Sequence, residues 1–272
     1  MTWHFTEDPA AFRAAAAPLL AAEPARNTAV LTMMDTAGRL GWWTEPDGRV
    51  TGVLVVSPPR VPAFGAITVE AARALATLDD EEEPTALRGE TDAVEAFANA
   101  TGRPWAPTAR MRLFRLGTLT PPDPAPAGRE RVAGPADIPL AAAWAREFSR
   151  DIGEDPDADP TAFTELVTDR ISDGRLLLWE DPDGRPVSMA SVSRTLEGQA
   201  RVHLVYTPPT ERGRGYAAGV TEAVSRAALD GGAAQVLLFT HLSNPTSNAL
   251  YQRLGYRPVL DHLGVEFTGT AR

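Results

Sequence analysis

The chain has 272 residues, 43% of them hydrophobic and 23% charged, with a formal net charge of −10. That is globular composition, with room for one large or two small cores. No apolar run reaches the roughly 18–20 residues that cross a bilayer, and an acidic chain lacks the clustered positive charge through which nucleic acid is bound. There is no cysteine, and all 26 basic side chains are arginine. Disulfides, thiolate metal sites, an acyl-cysteine intermediate and a lysine Schiff base are therefore excluded. Residues 1–9 hold Glu7 and Asp8 and no early arginine, the reverse of a secretory leader, so the expected location is cytoplasmic.

In chain order, a helix is expected from Pro9, capped by Asp8. A strand, a tight Pro46-Asp47-Gly48 turn and a second strand follow over 39–57. Then come a helix at 69–78, a strand at 85–88, a helix at 92–100 and a strand at 108–116. Residues 118–134 carry Pro121, Pro122, Pro124, Pro126, Gly128 and Gly134. Such a stretch holds neither a helix nor a central strand. It sets the expected domain boundary between 1–121 and 122–272.

The second half starts with a helix over 137–149, with Asp137 as its cap and Leu140 and Trp144 on one face. An acidic loop at 151–159 and a helix at 160–172 follow. Strands are expected at 175–180, 186–195 and 199–207, and a helix at 215–230 ended by Gly231-Gly232. A strand at 235–240, a helix at 245–254 and a strand at 256–267 complete the order α-α-β-β-β-α-β-α-β.

The two halves share a segment. Arg39-Leu40-Gly41-Trp42-Trp43-Thr44-Glu45-Pro46-Asp47-Gly48-Arg49 matches Arg175-Leu176-Leu177-Leu178-Trp179-Glu180-Asp181-Pro182-Asp183-Gly184-Arg185 at an offset of 136, half the chain length, without a gap as far as Ser57 and Ser193. Matched tryptophans and arginines around the same turn indicate duplication. Trp42, Trp43 and Trp179 are expected in the cores of these hairpins.

The chemistry concentrates after the third strand of the second half. Pro208 and Pro209 lack N–H groups and end its ladder. Gly213 and Gly215 allow a sharp turn and close approach by a ligand. The helix that follows opens with unpaired amides, an anion site to which Arg212 and Arg214 add charge. Downstream, Asn244 is placed to cap a helix with Pro245 at its first position, and Tyr251 lies two turns on.

These two segments resemble the cofactor motifs of the GNAT superfamily of N-acetyltransferases. The pattern [Arg/Gln]-x-x-Gly-x-[Gly/Ala] is met by Arg212, Gly215 and Ala217, and the Asn…Tyr…Gly-[Tyr/Phe] segment by Asn244, Tyr251, Gly255 and Tyr256. Val205-Tyr206-Thr207-Pro208-Pro209 with Asn244-Pro245-Thr246-Ser247-Asn248 is similar to a bacterial two-domain group within that superfamily. The resemblance implies an α/β (α+β) fold of tandem domains, each a mixed, mostly antiparallel sheet flanked by helices. The N-terminal copy is degenerate: no Gly-rich loop stands near Ala76, its position at the repeat offset.

The implied activity is transfer of an acetyl group from acetyl-CoA to a primary amine of a small molecule, directly and without a metal. Val205, Tyr206 and Thr207 would pair with the pantetheine arm through backbone groups. Gly213, Arg214, Gly215, Tyr216 and Ala217 would hold the pyrophosphate, and Asn244 and Asn248 would contact the cofactor near its thiol. Tyr251 would be the general acid. His203 is the first candidate base, two positions before Val205 and so expected on the same face of the strand. Glu147, Glu154 and Asp155 are alternatives, and His241 is expected at the rim of the core. Two further readings stay open: a non-catalytic acyl-CoA-binding module, and a protein N-acetyltransferase. The intact Tyr251 favours an enzyme over the first.

Overall fold

The computed structural model describes residues 1–57, 61–78, 83–153 and 159–268. They divide into two compact units, Met1–Leu113 with Thr240–Asn244 and Pro258–Arg272, and Phe114–Phe239 with Pro245–Arg257. The division does not follow the linker at 121/122. It falls inside strand β6 (Trp105–Leu116), and most of the final strand is grouped with the first unit.

In the first unit the order is β1 (Thr2–Thr6), α1 (Pro9–Ala22), α2 (Thr28–Met33), β2 (Arg39–Thr44), β3 (Val50–Ser57), β4 (Val61–Phe64), α3 (Val69–Leu75), β5 (Ala86–Glu90) and α4 (Thr91–Ala100) before β6. In the second it is β7 (Arg129–Val132), α5 (Ile138–Ile152), α6 (Pro160–Ser172), β8 (Leu176–Glu180), β9 (Pro186–Val192), β10 (Gln199–Tyr206), α7 (Tyr216–Asp230), β11 (Gln235–His241), α8 (Pro245–Arg253) and the start of β12 (Tyr256–Phe267).

The topologies agree. β1-β2-β3-β4 pair antiparallel in succession, and β4 pairs β5 in parallel. β7-β8-β9-β10 likewise pair antiparallel, and β10 pairs β11 in parallel. The last strand of the first unit comes from the far end of the chain, as β12 residues His262–Glu266 pair antiparallel with β5.

The repeat reaches the register of the hairpins. Leu40 faces Val55, Trp43 faces Gly52 and Thr44 faces Val50, with a slip after Trp43. At the offset of 136, Leu176 faces Ser191, Trp179 faces Ser188 and Glu180 faces Pro186, with a slip after Trp179. Both turns close through the same bonds, Gly48 N–H to Glu45 O and Gly184 N–H to Asp181 O, each 2.9 Å, with the glycine at φ +84° and +80°. Trp43 and Trp179 are buried in the cores of their respective units.

The two units differ where β4 and β10 give way to a helix. Nine residues, 207–215, join β10 to α7, whereas four, 65–68, join β4 to α3. The short connection is pinned by buried Asn27, whose Oδ1 accepts from Ala66 N–H at 2.8 Å, while its Nδ2 donates to the Leu19 and Glu23 carbonyls. A Cβ on Gly65 would stand 2.5 Å from that same Oδ1.

In the second unit one sheet face packs on α7 through Leu177, Trp179, Val187, Val202, Val220 and Val224. The other packs on α5 and α6 through Leu176, Leu178, Met189, Trp144, Val167 and Ile171. Gly219 of α7 sits under the Trp179 ring, whose Nε1 donates to Ala127 O at 2.9 Å.

Four elements escaped the sequence reading. β1 lies at the chain start with polar residues between Trp3 and Phe5, and six-residue α2 is too short to show a period. β4 contains Pro62, and β7 is an arginine-rich edge strand inside the proline-rich stretch. α3 ends at Leu75, short of the predicted 78. Asp137 does not cap α5 directly. It closes a 3₁₀ turn at Pro135–Asp137 by accepting from Gly134 N–H at 2.7 Å, and it binds Arg131 at 2.7 Å.

A Cβ at position 219 would lie 2.8 Å from both Trp179 and Pro126. Gly219→Ala should therefore destabilise the protein by about 1–3 kcal/mol through overpacking, although alanine is the better helix former by about 1 kcal/mol. Denaturant unfolding followed by tryptophan fluorescence reads this, and an unchanged or raised midpoint would refute the packing constraint.

Candidate active site

β10 carries a bulge. Val202 faces Val192 and His203 faces Ser191 on β9, but the next pair is Tyr206 with Met189, and the register shifts between His203 and Tyr206. Leu204, at φ +53°, absorbs the extra residue. Leucine rarely adopts this left-handed conformation, which costs roughly 1–2 kcal/mol. Two buried β9 hydroxyls hold the displaced backbone: Ser191 Oγ donates to His203 O at 3.2 Å and Ser188 Oγ to Tyr206 O at 2.9 Å.

The bulge changes which side chains share a face. Ala200, Val202 and Val205 pack toward α7, and Leu204 and Tyr206 pack toward α5 and α6. His203 meets Phe148 of α5 edge to face, with centroids 5.6 Å apart. His203 and Val205 thus lie on opposite faces, contrary to strict alternation, because the αL residue between them shifts the period by one.

On its other side β10 pairs with β11 from Gln199↔Gln235 only to Val202↔Leu238. Beyond Val202 the two strands part, leaving a stretch of β10 without a ladder partner on that side. The stretch leads into Thr207, whose buried Oγ1 lies 2.8 Å from Ser188 Oγ. A 3₁₀ turn at Pro209–Glu211 and the Gly-rich loop follow.

Gly213 and Gly215 stand at φ +80° and +82°. Ala218 and Gly219 N–H both donate to Gly215 O, at 2.9 and 3.1 Å, as the first turn of α7 forms. The amides before them have no intrahelical acceptor and form the positive end of the helix dipole. Arg212 Nε holds the loop back onto Thr207 O at 2.9 Å, and its Nη2 reaches Asp151 at 2.6 Å. Arg214 pairs with buried Glu211 at 3.0 Å. Tyr216 is buried against the sheet, and Ala217 lies in the first turn.

Exposed Glu147 of α5 accepts from the phenol of buried Tyr206 at 2.6 Å. Burial, then this bond and the carboxylate charge, push the Tyr206 phenol pKa well up. The second predicted phenol, Tyr251 of α8, is buried beside Tyr256 with centroids 6.0 Å apart. Burial raises its pKa too, so it carries its proton at neutral pH. Asn248 lies half-buried on α8, and Asn244 is exposed just before it in sequence, in the segment grouped with the first unit. Glu154 and Asp155 lie outside the described residues.

Water reaches His203, yet protein crowds its ring. Desolvation first, then the cations Arg201 and Arg170, push its pKa down to about 3. Solvent access argues for a smaller shift than dry burial would give, while the two guanidinium groups fix its downward sign. The imidazole is neutral at pH 7 and a weaker proton acceptor than an ordinary histidine. Leu204, Ser188 and Ser191, which shape this region, were not singled out from sequence. The two serines in an otherwise apolar buried strand were the available signal, whereas nothing local marks a left-handed leucine.

Residues 140–256 match the family model described as Acetyltransferase (GNAT) family. No curated protein matches the chain in sequence. Solved structures similar in fold include a GCN5-related N-acetyltransferase from Sphaerobacter thermophilus, with TM-score 0.66, 16% identity, and coverage of 97% of this chain and 95% of that one. A GNAT-family acetyltransferase from Colwellia psychrerythraea gives 0.62, 12%, 98% and 99%. A GCN5-related N-acetyltransferase from Kribbella flavida gives 0.60, 18%, 92% and 96%. At these identities the likeness is one of fold, and it extends over nearly the whole chain. Among the described residues no helix is long and apolar enough to cross a membrane, and no group of histidine, aspartate and glutamate is arranged to hold a metal.

The depressed His203 has a consequence for acid stability. Between its lowered folded pKa and the ordinary value of 6.5 the unfolded chain binds a proton there that the folded chain does not. Its contribution to ΔG of unfolding therefore rises with pH across that window and is lost as pH falls. His203→Gln should flatten the stability profile between pH 4.5 and 7. Denaturant titrations at those two pH values check it, and an unaltered difference would contradict the shift.

Proposed function

We propose, from the match of residues 140–256 to the model of the GNAT acetyltransferase family, that the chain acetylates the primary amine of a small molecule by direct transfer from acetyl-CoA. The observation that carries the reading is the bulge at Leu204, with the adjoining strands parted beyond Val202, leading directly into the glycine turn that opens α7. An open strand stretch suits the amide-bearing pantetheine arm, and a helix N-terminus suits its pyrophosphate.

In this reading backbone groups of Val205, Tyr206 and Thr207 pair with the arm. Amides from Gly213 to Ala217 hold the diphosphate, Arg212 and Arg214 add charge, and Asn244 and Asn248 contact the cofactor nearer its thiol. Acetyl-CoA supplies the activated acyl carbon. An alkylammonium of pKa about 10 is neutral in roughly one molecule per thousand at pH 7, so a base must take its proton. Glu147, already accepting from Tyr206, takes that role, and neutral His203 accepts a hydrogen bond from the acceptor. As the amine nitrogen bonds to the acyl carbon and the carbon–sulfur bond breaks, Tyr251 gives its proton to the sulfur. A backbone N–H near Val205 steadies the oxyanion. The first unit, whose β4–α3 connection is closed by Asn27, has no comparable turn among its described residues and serves as a degenerate copy.

Calorimetric titration with acetyl-CoA should give one site per chain. Gly215→Glu should abolish binding, because a side chain there blocks backbone approach, and normal affinity in that variant would remove the phosphate-loop assignment. Tyr251→Phe should lower kcat by about 10²-fold or more with little change in affinity. Glu147→Gln should cost more in kcat than His203→Gln, and the reverse order would transfer the base role to the imidazole.

A further inference from the structure

β9 holds two fully buried serines, Ser188 and Ser191, among the buried Val187, Met189, Ala190 and Val192. A hydroxyl in such a strand costs stability unless it is bonded. Ser188 Oγ has one hydrogen to give and two acceptor positions. Tyr206 O, a carbonyl, only accepts, so at 2.9 Å the Ser188 hydrogen goes there. The Thr207 hydroxyl, 2.8 Å away, then donates to Ser188 Oγ, the one assignment in which both bonds are made. Thr207 O in turn accepts from Arg212 Nε at 2.9 Å, and the Tyr206 phenol donates to Glu147 at 2.6 Å. One β9 hydroxyl thus holds two consecutive residues, the first tied to the α5 carboxylate and the second to the glycine loop.

The first unit supplies an internal comparison. At the repeat offset of 136, Ser188 corresponds to Gly52 and Ser191 to Val55. The pairing context is the same, with Ser188 facing Trp179 and Gly52 facing Trp43. A Cβ at Gly52 would stand 3.1 Å from Trp43 Cβ and 3.2 Å from Ile67 Cγ1, so neighbours already fill that place. There β3 and β4 pair in unbroken register from Leu54↔Phe64 to Ser57↔Val61. β9 and β10 pair with a shift between His203 and Tyr206. The unit with the bulge has both hydroxyls, and the unit without it has neither. Pairing opposite tryptophan does not itself call for a serine, since glycine meets that demand in the first unit.

We propose that Ser188 is a positioning residue for acyl transfer: through the Tyr206 carbonyl and the Thr207 hydroxyl it fixes the stretch of β10 that pairs with the pantetheine arm. This rests on the reading of β10 as the acyl-transfer strand. Ser188 is closed to solvent and acts through Tyr206 and Thr207. Without its hydroxyl, Tyr206 O and the Thr207 hydroxyl lose their partner in a place shut off from water, and the stretch turns to find others. The groups that pair with the arm turn with it, as does the phenol that holds Glu147. The diphosphate turn is built from the amides that open α7 and does not depend on Ser188.

Two ligands separate this role from a general loss of structure. Acetyl-CoA carries the arm, and adenosine 3′-phosphate 5′-diphosphate keeps the nucleotide and the diphosphate without it. Both are titrated into the whole protein by calorimetry. Ser188→Ala should weaken acetyl-CoA by about 10-fold or more, as expected when buried hydrogen-bonding groups are left unpaired, and leave the nucleotide's affinity unchanged. Val167→Ala, which opens a cavity between α6 and the sheet, should lower the unfolding midpoint and leave both affinities alone. Thr207→Val added to Ser188→Ala should weaken acetyl-CoA no further, because that hydroxyl has already lost its partner. Ser188→Cys keeps a weak donor on a similar shape. It should fall between alanine and serine, and it keeps the test readable if the alanine variant fails to fold. Unchanged acetyl-CoA affinity in the Ser188 variants, equal weakening of both ligands, or a like weakening in Val167→Ala would overturn the proposal. Failure of the unsubstituted protein to bind acetyl-CoA would instead overturn the transferase reading.

Discussion

The candidate site depends on one backbone irregularity, the left-handed Leu204 in β10. Left-handed geometry costs a leucine roughly 1–2 kcal/mol. Burial of its side chain among α5, α6 and β9 residues returns about 1.5–3 kcal/mol, and the Ser188 and Ser191 hydroxyls satisfy carbonyls displaced with it. Tertiary packing thus stabilises a conformation that the local sequence disfavours. The inserted residue puts His203 and Leu204 on one face, turns Val205 to the other, and hands Tyr206 to Glu147.

The two units show how far one topology can diverge in the use of one connection. Their hairpins keep the same partners, the same slip after tryptophan and the same glycine turn. Their strand-to-helix connections do not match. Nine residues with two left-handed glycines join β10 to α7, whereas four residues tied to Asn27 join β4 to α3. Hairpin register is conserved in both because the buried tryptophan and its partner fix it. A connecting loop carries no comparable packing demand, so its length differs between the units without disturbing the sheet.

Charge is distributed along β10 by side-chain placement rather than by net composition. An acidic chain still assembles Arg170, Arg175, Arg194 and Arg201 near the strand's start and Arg212 and Arg214 beyond its end. The arginines at the far end are partly neutralised by Asp151 and Glu211. The His203 pKa is lowered first by burial and then by the charges of Arg201 and Arg170.

The sequence by itself determined the elements with strong local signals: α6 at Pro160–Ser172 and β12 at Tyr256–Phe267 end where predicted, and Asp8 caps α1. The Gly-rich loop, the half-length repeat and Tyr251 were legible as well, because glycine turns, prolines and helix caps act within a few residues. Only the tertiary structure decided what depends on partners distant in the chain. It returned the end of β12 to β5, moved the division between units away from the prolines, and inserted the Leu204 bulge. It also paired Glu147 with Tyr206 and set His203 against Phe148. Pairing registers, burial and the field at a titrating group are sums over neighbours that local sequence does not list.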